Sequence, residues 1–162
     1  PTPGTMLDGL NKYVNNSLNK TIDDSIRDGM DITLCSLNLK NMKIKFAGAN
    51  NPLYLIRDGE LEVFKTNKFA IGSFTEGEHN YETFEIDLKK GDKIYAFSDG
   101  YPDQFGGERG KKFMYKKFKE LLVETMKESM EDQKRKLEDR FFEWMGSYEQ
   151  VDDIVIFGVE ID

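Results

Sequence analysis

The sequence is poor in residues that build several common kinds of site. It has one cysteine, Cys35, and one histidine, His79, among 162 residues. A single cysteine excludes an internal disulfide, and a single histidine excludes a metal site built from several histidines of one chain. Cys35 lies in a strand-like stretch, where we expect a small buried apolar residue. His79 follows a loop-like Gly-Glu pair, so we expect it at the surface.

Long apolar runs and an excess of positive charge are also missing. No segment approaches the roughly 20 apolar residues that a membrane-spanning helix needs. The net charge is −7, which argues against a general nucleic-acid binder because such proteins carry a basic footprint. We therefore expect a cytoplasmic protein, although the parent could be membrane-anchored through an upstream region. The length fits a single domain over residues 1–162.

Hydrophobic periodicity predicts a helix, about six strands, two helices and a final strand. The predicted helices lie near residues 5–19, 111–129 and 131–145. The predicted strands lie near residues 30–39, 42–48, 53–56, 61–64, 84–88, 94–98 and 154–157. Asp58-Gly59 separates the third and fourth of these strands and predicts a hairpin. Because the final strand would pair with a distant one, the order indicates an α+β layered sandwich rather than a meander.

Two of the apolar runs carry acidic residues at one end. Ile94–Ser98 leads into Asp99, and Ile154–Phe157 follows directly on Asp152 and Asp153. Runs rich in β-branched and aromatic residues are typical of strands buried on both faces. If these two strands are antiparallel neighbours, Asp99 and Asp152 lie together at one edge of the sheet. Adjacent carboxylates repel each other, and a hard divalent cation with oxygen ligands is the usual compensation.

Each acidic turn also has a simpler interpretation. Ser98-Asp99-Gly100 alone is explained equally well as a turn, and Asp152-Asp153 as a solvated strand end. Together they favour a cation site, because charge at the mouth of a hydrophobic core costs stability unless it is compensated. Asp103 could add a further oxygen ligand or hold a water molecule. Two acids are too few for a pair of ions, so other ligands would have to come from elsewhere.

Three further residues are candidates for contact with a substrate. Asn50 precedes Asn51-Pro52 at a strand end, where asparagines more often simply make the turn. Gly106 lies in the loop 105–110, which is interpreted equally well as a mobile flap beside the acids or as a plain connector. Arg109 in the same loop is a cation that could touch a phosphate. This loop lacks the sequence context of a phosphate-binding P-loop.

Taken together and in order, three segments resemble the SpoIIE-type branch of the PPM metal-dependent serine/threonine phosphatases. They are Phe46–Leu53, Leu88–Gly100 and Gln150–Ile154. The resemblance extends over nearly the whole chain. It implies an αββα sandwich of two mainly antiparallel sheets flanked by helices. It also implies hydrolysis of phosphoserine or phosphothreonine that depends on Mn²⁺ or Mg²⁺.

The resemblance also implies roles for individual residues. It assigns metal binding and catalysis to Asp99 and Asp152, and it gives Asp153 a supporting position. We add Gly100 and Asp103 as further supporting positions. The substrate implied is a phosphoprotein of bacterial signalling, with an anti-sigma-antagonist-like protein as one candidate. An upstream sensor domain in the parent chain and a homodimer are further expected partners, whereas nucleic acid is not.

One departure from the family pattern limits what this chain can do. Members of the family carry an acidic Gly-Asp turn and an Asp-x-Thr-Gly-His-Gly loop whose aspartate bridges two metal ions. Neither motif is present, and Asp23-Asp24 has a different context. We therefore interpret the chain as the C-terminal two-thirds, approximately, of a phosphatase domain. Alone, it is expected to bind Mn²⁺ or Mg²⁺ weakly or not at all; the alternative is a regulatory or protein-interaction domain without catalysis.

Overall fold

The computed structural model describes residues 1–18, 29–73 and 80–162. The predictions for His79 and for Asp23-Asp24 lie outside these ranges. Within them, no helix is long and apolar enough to cross a membrane. The chain divides into two compact units: unit one comprises Pro1–Leu53 and Phe64–Lys89, and unit two comprises Tyr54–Val63 and Lys90–Asp162. The prediction of one domain over residues 1–162 stays a prediction.

The elements follow the predicted order, with one short helix and two short strands added. The helices are α1 (Pro3–Leu18), α2 (Gly100–Asp103), α3 (Met114–Glu124) and α4 (Met130–Met145). The strands are β1 (Ile32–Asn38), β2 (Lys43–Ala49), β3 (Leu53–Arg57), β4 (Glu60–Phe64), β5 (Phe84–Asp87), β6 (Lys93–Phe97), β7 (Phe105–Gly106), β8 (Lys111–Lys112) and β9 (Ile156–Glu160).

Unit one is an antiparallel sheet in the order β1-β2-β5 with α1 packed on it. Strand β2 alternates as its sequence predicts: Ile44 and Phe46 are buried, whereas Lys43 and Lys45 form ion pairs with Glu85 at 2.6 and 3.0 Å. Over Lys43–Phe46 this alternation gives one wet and one dry face. Ala47 and Ala49, on the same face as the two lysines, are 0% exposed, so both faces of β2 are buried at its end. A core of apolar side chains lies beneath α1, made of Leu7, Ala47, Ala49, Ile71 and Tyr81.

The prediction that Cys35 is buried is wrong. Cys35 lies on the exposed face of β1. Ile32 and Leu34 of the same strand are partly buried against the core under α1. Neighbouring residues of a strand point to opposite faces, so Cys35 points away from the face that holds Leu34.

Unit two is built on a second antiparallel sheet, in the order β4-β3-β6-β9. The Asp58-Gly59 turn that joins β3 to β4 has positive φ at both residues, 52° and 88°, as a two-residue hairpin turn requires. Eleven buried residues form its core: Tyr54, Ile56, Tyr95, Phe97, Tyr101, Phe113, Phe118, Leu121, Leu122, Leu137 and Phe141. Phe118, Leu121 and Leu122 of α3, with Leu137 and Phe141 of α4, are therefore core, as their helical spacing indicates. Met114, at the start of the same stripe, is 56% exposed.

The ends of α3 differ from the prediction of a helix over 111–129. Lys111 and Lys112 form β8, which pairs with β7, so the helix begins only at Met114. At the other end Thr125 caps the helix. Helix α4 begins at Met130 because the Ser129 side chain accepts a hydrogen bond from the Asp132 amide at 3.1 Å, as a helix N-cap does.

The prediction that both apolar runs are buried on two faces is correct for β6 and wrong for β9. Ile94, Tyr95 and Phe97 are 1–6% exposed, whereas Val155 and Phe157 are 60% and 65% exposed. Among the described strands, β9 is the last of its sheet, with β6 as its one neighbour. An apolar run marks β-propensity, but the burial of its second face depends on what covers it.

Candidate metal-binding site

The pairing of β6 with β9 brings the two acidic turns to the same end of unit two. The strands are antiparallel, and the last pair in the register is Phe97 with Ile156. Because β6 ends where β9 begins, the residues after Phe97 face those before Ile156. The predicted antiparallel neighbourhood is thus confirmed, while the roles of Asp99 and Asp152 stay predictions.

The serine between the two strand ends extends their contact. The Ser98 amide donates to the Val155 carbonyl oxygen at 2.9 Å, and the Val155 amide donates to Ser98 Oγ at 2.9 Å. Ser98 Oγ in turn donates to the Asp153 carbonyl oxygen at 2.8 Å. Two of these bonds join Ser98 to Val155, and the third holds the Asp153 backbone beside Ser98, the residue that precedes Asp99.

Gly100 allows this close approach. A Cβ atom built on Gly100 would overlap the carbonyl oxygen of Asp153. Any larger residue would therefore push the two acidic turns apart. Gly100 therefore has a packing role, while its supporting position at a metal site stays a prediction.

The two candidate ligands have different surroundings. Asp99 is half-buried and precedes α2, and its carbonyl oxygen accepts from the Asp103 amide at 2.9 Å. Asp152 is exposed; its Oδ1 accepts from the Asp153 amide at 2.7 Å, and its carbonyl oxygen accepts from Gln150 Nε2 at 2.7 Å. The Asp152 carboxylate is therefore oriented by its own turn, in the way typical of aspartate in loops.

Asp103 already has a cationic partner. Its Oδ2 lies 2.8 Å from Lys112 Nζ, and the two side chains are 35% and 42% exposed. Asp153 is exposed and contributes its backbone to the contact with Ser98. No group of three or more histidine, cysteine, aspartate or glutamate side chains that could hold a metal ion occurs in the described ranges. The carboxylate oxygens present suit Mn²⁺ or Mg²⁺ chemically, but they are too few for two ions.

The loop 105–110 forms a short hairpin, with Gly106 opposite Lys111. Gly106 is buried, and a Cβ atom there would overlap the Trp144 carbonyl oxygen, to which the Gly107 amide donates at 2.8 Å. This hairpin is thus fastened to the end of α4, and Gly106 has a packing role. Arg109 lies exposed in the turn of the hairpin, accessible to an anion.

Gly106→Ala is expected to lower the free energy of unfolding by about 1–3 kcal/mol, because the added methyl group overpacks a backbone contact. Gly9→Ala is the matched control, since a Cβ atom on Gly9 meets nothing within 4 Å. That change, inside α1, is expected to be neutral or stabilising by up to about 1 kcal/mol. Urea unfolding of both variants measures the difference. Equal stabilities for the two would show that Gly106 is not held against Trp144.

Asn50 lies in unit one and serves the turn after β2. Its φ is +61°, its amide donates to the Asn67 carbonyl oxygen at 2.8 Å, and its Nδ2 donates to Asp31 Oδ1 at 2.6 Å. Asparagine tolerates this left-handed conformation better than most residues. The turn-making role is therefore present, and contact with a substrate stays a prediction.

Sequence reasoning missed two residues of unit two that organise the site. Gln104 is fully buried and bonds to the segment before Asp152, and Tyr101 donates from its hydroxyl to the Leu137 carbonyl oxygen at 2.8 Å. Burial raises the pKa of Tyr101, so the hydroxyl stays neutral and anchors α2 to α4. Nothing in the local pattern distinguishes this glutamine, since two of its side-chain partners, Glu149 and Val151, are distant in sequence.

The antiparallel sheets, the flanking helices and the acidic strand ends together define an α+β domain of the PP2C phosphatase type. The family model described as Stage II sporulation protein E (SpoIIE) matches residues 1–162. The chain belongs to this family. The predicted fold class and the predicted family are both confirmed.

Solved structures of this type resemble the chain over nearly its full length. The SiaA-PP2C domain of Pseudomonas aeruginosa is 27% identical with a TM-score of 0.85, over 99% of this chain and 61% of that one. The SpoIIE phosphatase domain from Bacillus subtilis (Mn presoaked) is 19% identical with a TM-score of 0.62, over 93% and 64%. The S. agalactiae serine/threonine phosphatase is 14% identical with a TM-score of 0.67, over 98% and 69%.

The chain thus spans less than two thirds of the SiaA-PP2C and Bacillus SpoIIE domains, at 61% and 64% of their lengths. No functionally curated protein matches it.

Proposed function

We propose that this chain is part of a metal-dependent protein phosphatase that removes phosphate from phosphoserine or phosphothreonine in a bacterial signalling protein. The observation that carries the proposal is the β6–β9 register. The last residue pair of this register is Phe97 with Ile156. Beyond it, Ser98 Oγ donates a hydrogen bond to the Asp153 carbonyl oxygen at 2.8 Å. Asp99, which follows β6, and Asp152, which precedes β9, therefore lie at the same end of this strand pair.

In this proposal Asp99 and Asp152 hold Mn²⁺ or Mg²⁺. When bound, such an ion would offset the charge of a phosphate group and lower the pKa of a coordinated water. The chain's own residues orient the two acids through Ser98 and Gly100. Arg109, exposed in the β7–β8 turn, would bind the substrate phosphate, as arginine commonly does. Asp153 and Asp103 support the acids, and Asn50 and Gly106 remain candidate contacts for the substrate.

We further propose that the remaining metal ligands come from a segment outside this sequence, as part of a longer domain that holds two ions. The described residues contain no group of three potential metal-binding side chains. The chain also covers only 61% and 64% of two solved phosphatase domains. Both observations support a phosphatase domain of which this sequence is one part. We propose that it is the C-terminal part, because the sequence lacks the Asp-x-Thr-Gly-His-Gly loop that the resemblance implies for an earlier segment. On this basis the isolated chain has little activity.

Hydrolysis of p-nitrophenyl phosphate with Mn²⁺ tests the proposal on two proteins: this chain, and the same chain extended upstream to the start of its natural domain. We expect activity in the longer protein and less than about a hundredth of it in this chain, because loss of metal ligands removes several kcal/mol of stabilisation from the transition state. Full metal-dependent activity of the isolated chain would contradict the incomplete metal site. Absence of activity from both would favour a regulatory or interaction domain.

The proposed partners follow from the same reasoning. The substrate is a phosphoprotein, and an anti-sigma-antagonist-like protein is one candidate. A sensor domain upstream in the parent chain would regulate the phosphatase, and two copies could form a homodimer. The proposed location of the phosphatase domain is the cytoplasm, and the net charge of −7 does not favour nucleic acid as a partner.

A further inference from the structure

Gln104, which follows α2, is a buried glutamine that bonds to three backbone groups. It is 0% exposed. Its Nε2 donates to the Phe105 carbonyl oxygen at 3.0 Å and to the Glu149 carbonyl oxygen at 2.8 Å, and its Oε1 accepts from the Val151 amide at 3.4 Å. A buried amide is costly unless it is bonded, and this one uses both of its polar atoms. The side chain therefore holds Glu149 and Val151 together.

The backbone of Gln104 is itself fixed by other elements of unit two. Its carbonyl oxygen accepts from the Phe113 amide at 2.9 Å and from Trp144 Nε1 at 3.1 Å. Lys117 Nζ lies 3.5 Å from the centre of the Trp144 ring system. The backbone of Gln104 is thus hydrogen-bonded to the start of α3 and to the end of α4. Because its backbone is held in this way, its side chain can fix the position of a less regular segment.

The segment that it holds carries Asp152. Residues 149–153 lie outside helices and strands, and all five are exposed. On one side of Asp152, Gln104 binds Glu149 and Val151. On the other side, Ser98 Oγ donates to the Asp153 carbonyl oxygen at 2.8 Å. Ser98 directly precedes Asp99, and Gln104 directly follows α2, so the turn that carries Asp99 holds the chain on both sides of Asp152.

We propose that Gln104 is a positioning residue that, together with Ser98, sets Asp152 relative to Asp99. The inference rests on the proposed metal-binding roles of these two acids and adds how their spacing is maintained. Ligand geometry must be held within about 0.5 Å for tight binding. If the segment samples other positions, the apparent affinity falls by the fraction of time that the binding geometry is populated.

The test compares two isosteric changes of buried glutamines in unit two. Gln104→Met keeps the length of the side chain and removes the amide. Gln133→Met is the matched control, because Gln133 is 1% exposed and bonds to Tyr95 and Thr125 at 2.6 and 2.9 Å. Both changes remove a buried hydrogen-bonded amide, so both are expected to lower stability. Only the first removes a bond to the segment 149–153.

The first measurement is the ¹⁵N order parameter of the Val151, Asp152 and Asp153 amides in this chain without metal. We expect values near those of a rigid backbone, about 0.85, in the unchanged chain and in Gln133→Met. In Gln104→Met we expect them to fall towards about 0.6. Unchanged values in Gln104→Met would overturn the inference, as would an equal fall in Gln133→Met.

The second measurement is Mn²⁺ titration followed by paramagnetic broadening of the Asp99 and Asp152 amide signals. Loss of a bond that orients a ligand typically weakens metal affinity about 10–100-fold, and we expect this in Gln104→Met but not in Gln133→Met. Equal affinities of the unchanged chain and Gln104→Met would overturn the inference. If the unchanged chain shows no broadening, metal binding by this chain fails, and the order parameters alone decide the positioning role.

Discussion

Asp99→Asn is expected to lower the rate constant of Mn²⁺-dependent ester hydrolysis by about 100-fold or more in the domain extended upstream. The amide has nearly the same size as the carboxylate but lacks the negative charge that a hard cation requires. A metal ion contributes several kcal/mol to transition-state stabilisation, and each factor of ten in rate corresponds to about 1.4 kcal/mol. The rate is measured with p-nitrophenyl phosphate over a range of Mn²⁺ concentrations.

The control for this change is Asp139→Asn, an equivalent loss of charge at an exposed position of α4. We expect its rate to equal that of the unchanged domain. Because Asp99 is only half-buried, circular dichroism should show similar thermal midpoints for both variants. A rate above about a third of the original in Asp99→Asn would exclude this residue as a metal ligand, since a loss that small needs less than about 1 kcal/mol.

Arg57→Ala is expected to lower the free energy of unfolding by about 3–5 kcal/mol. Arg57 at the end of β3 donates from Nε and Nη2 to the two carboxylate oxygens of Asp92, at 2.8 and 2.6 Å. The Asp92 side chain is 1% exposed, and that of Arg57 is 25% exposed. Removing the guanidinium leaves the buried carboxylate without its arginine partner, and desolvated charge is costly when its partner is lost.

Arg135→Ala is the matched control for the buried pair. Arg135 lies 2.6 Å from Asp132 on α4, with the two side chains 67% and 46% exposed. The same residue type at the same distance is expected to contribute only about 0–1 kcal/mol here, because water screens the pair. Urea unfolding followed by the fluorescence of Trp144, the one tryptophan in the sequence, measures both. A loss below about 1 kcal/mol in Arg57→Ala would show that Asp92 does not depend on this arginine.

Local patterns predicted much of the secondary structure. The alternation of Ile44 and Phe46 with Lys43 and Lys45 gave both the strand and its buried face, because side chains alternate in any strand. Asp58-Gly59 gave the hairpin because few residue pairs adopt two positive φ angles. Such signals depend on neighbouring residues alone.

Other features could not be predicted because they depend on distant partners. Lys111 and Lys112 have a helical pattern, but pairing with β7 places them in a strand. Phe157 has the sequence of a buried strand, yet it is 65% exposed because its side chain is not covered within the described residues. Tertiary contacts commonly override local propensity in this way.

The sequence by itself determined the acidic character of the chain, the order of its elements and the motifs that identify its family. Only the tertiary structure decided that Ser98 reaches Asp153 across 55 positions of sequence and that Gln104 reaches Glu149 across 45. The physical reason is that periodicity reports the conformation of a segment and one of its faces. Which segment lies opposite depends on the packing of the whole unit, where burial and hydrogen bonding select among many pairings.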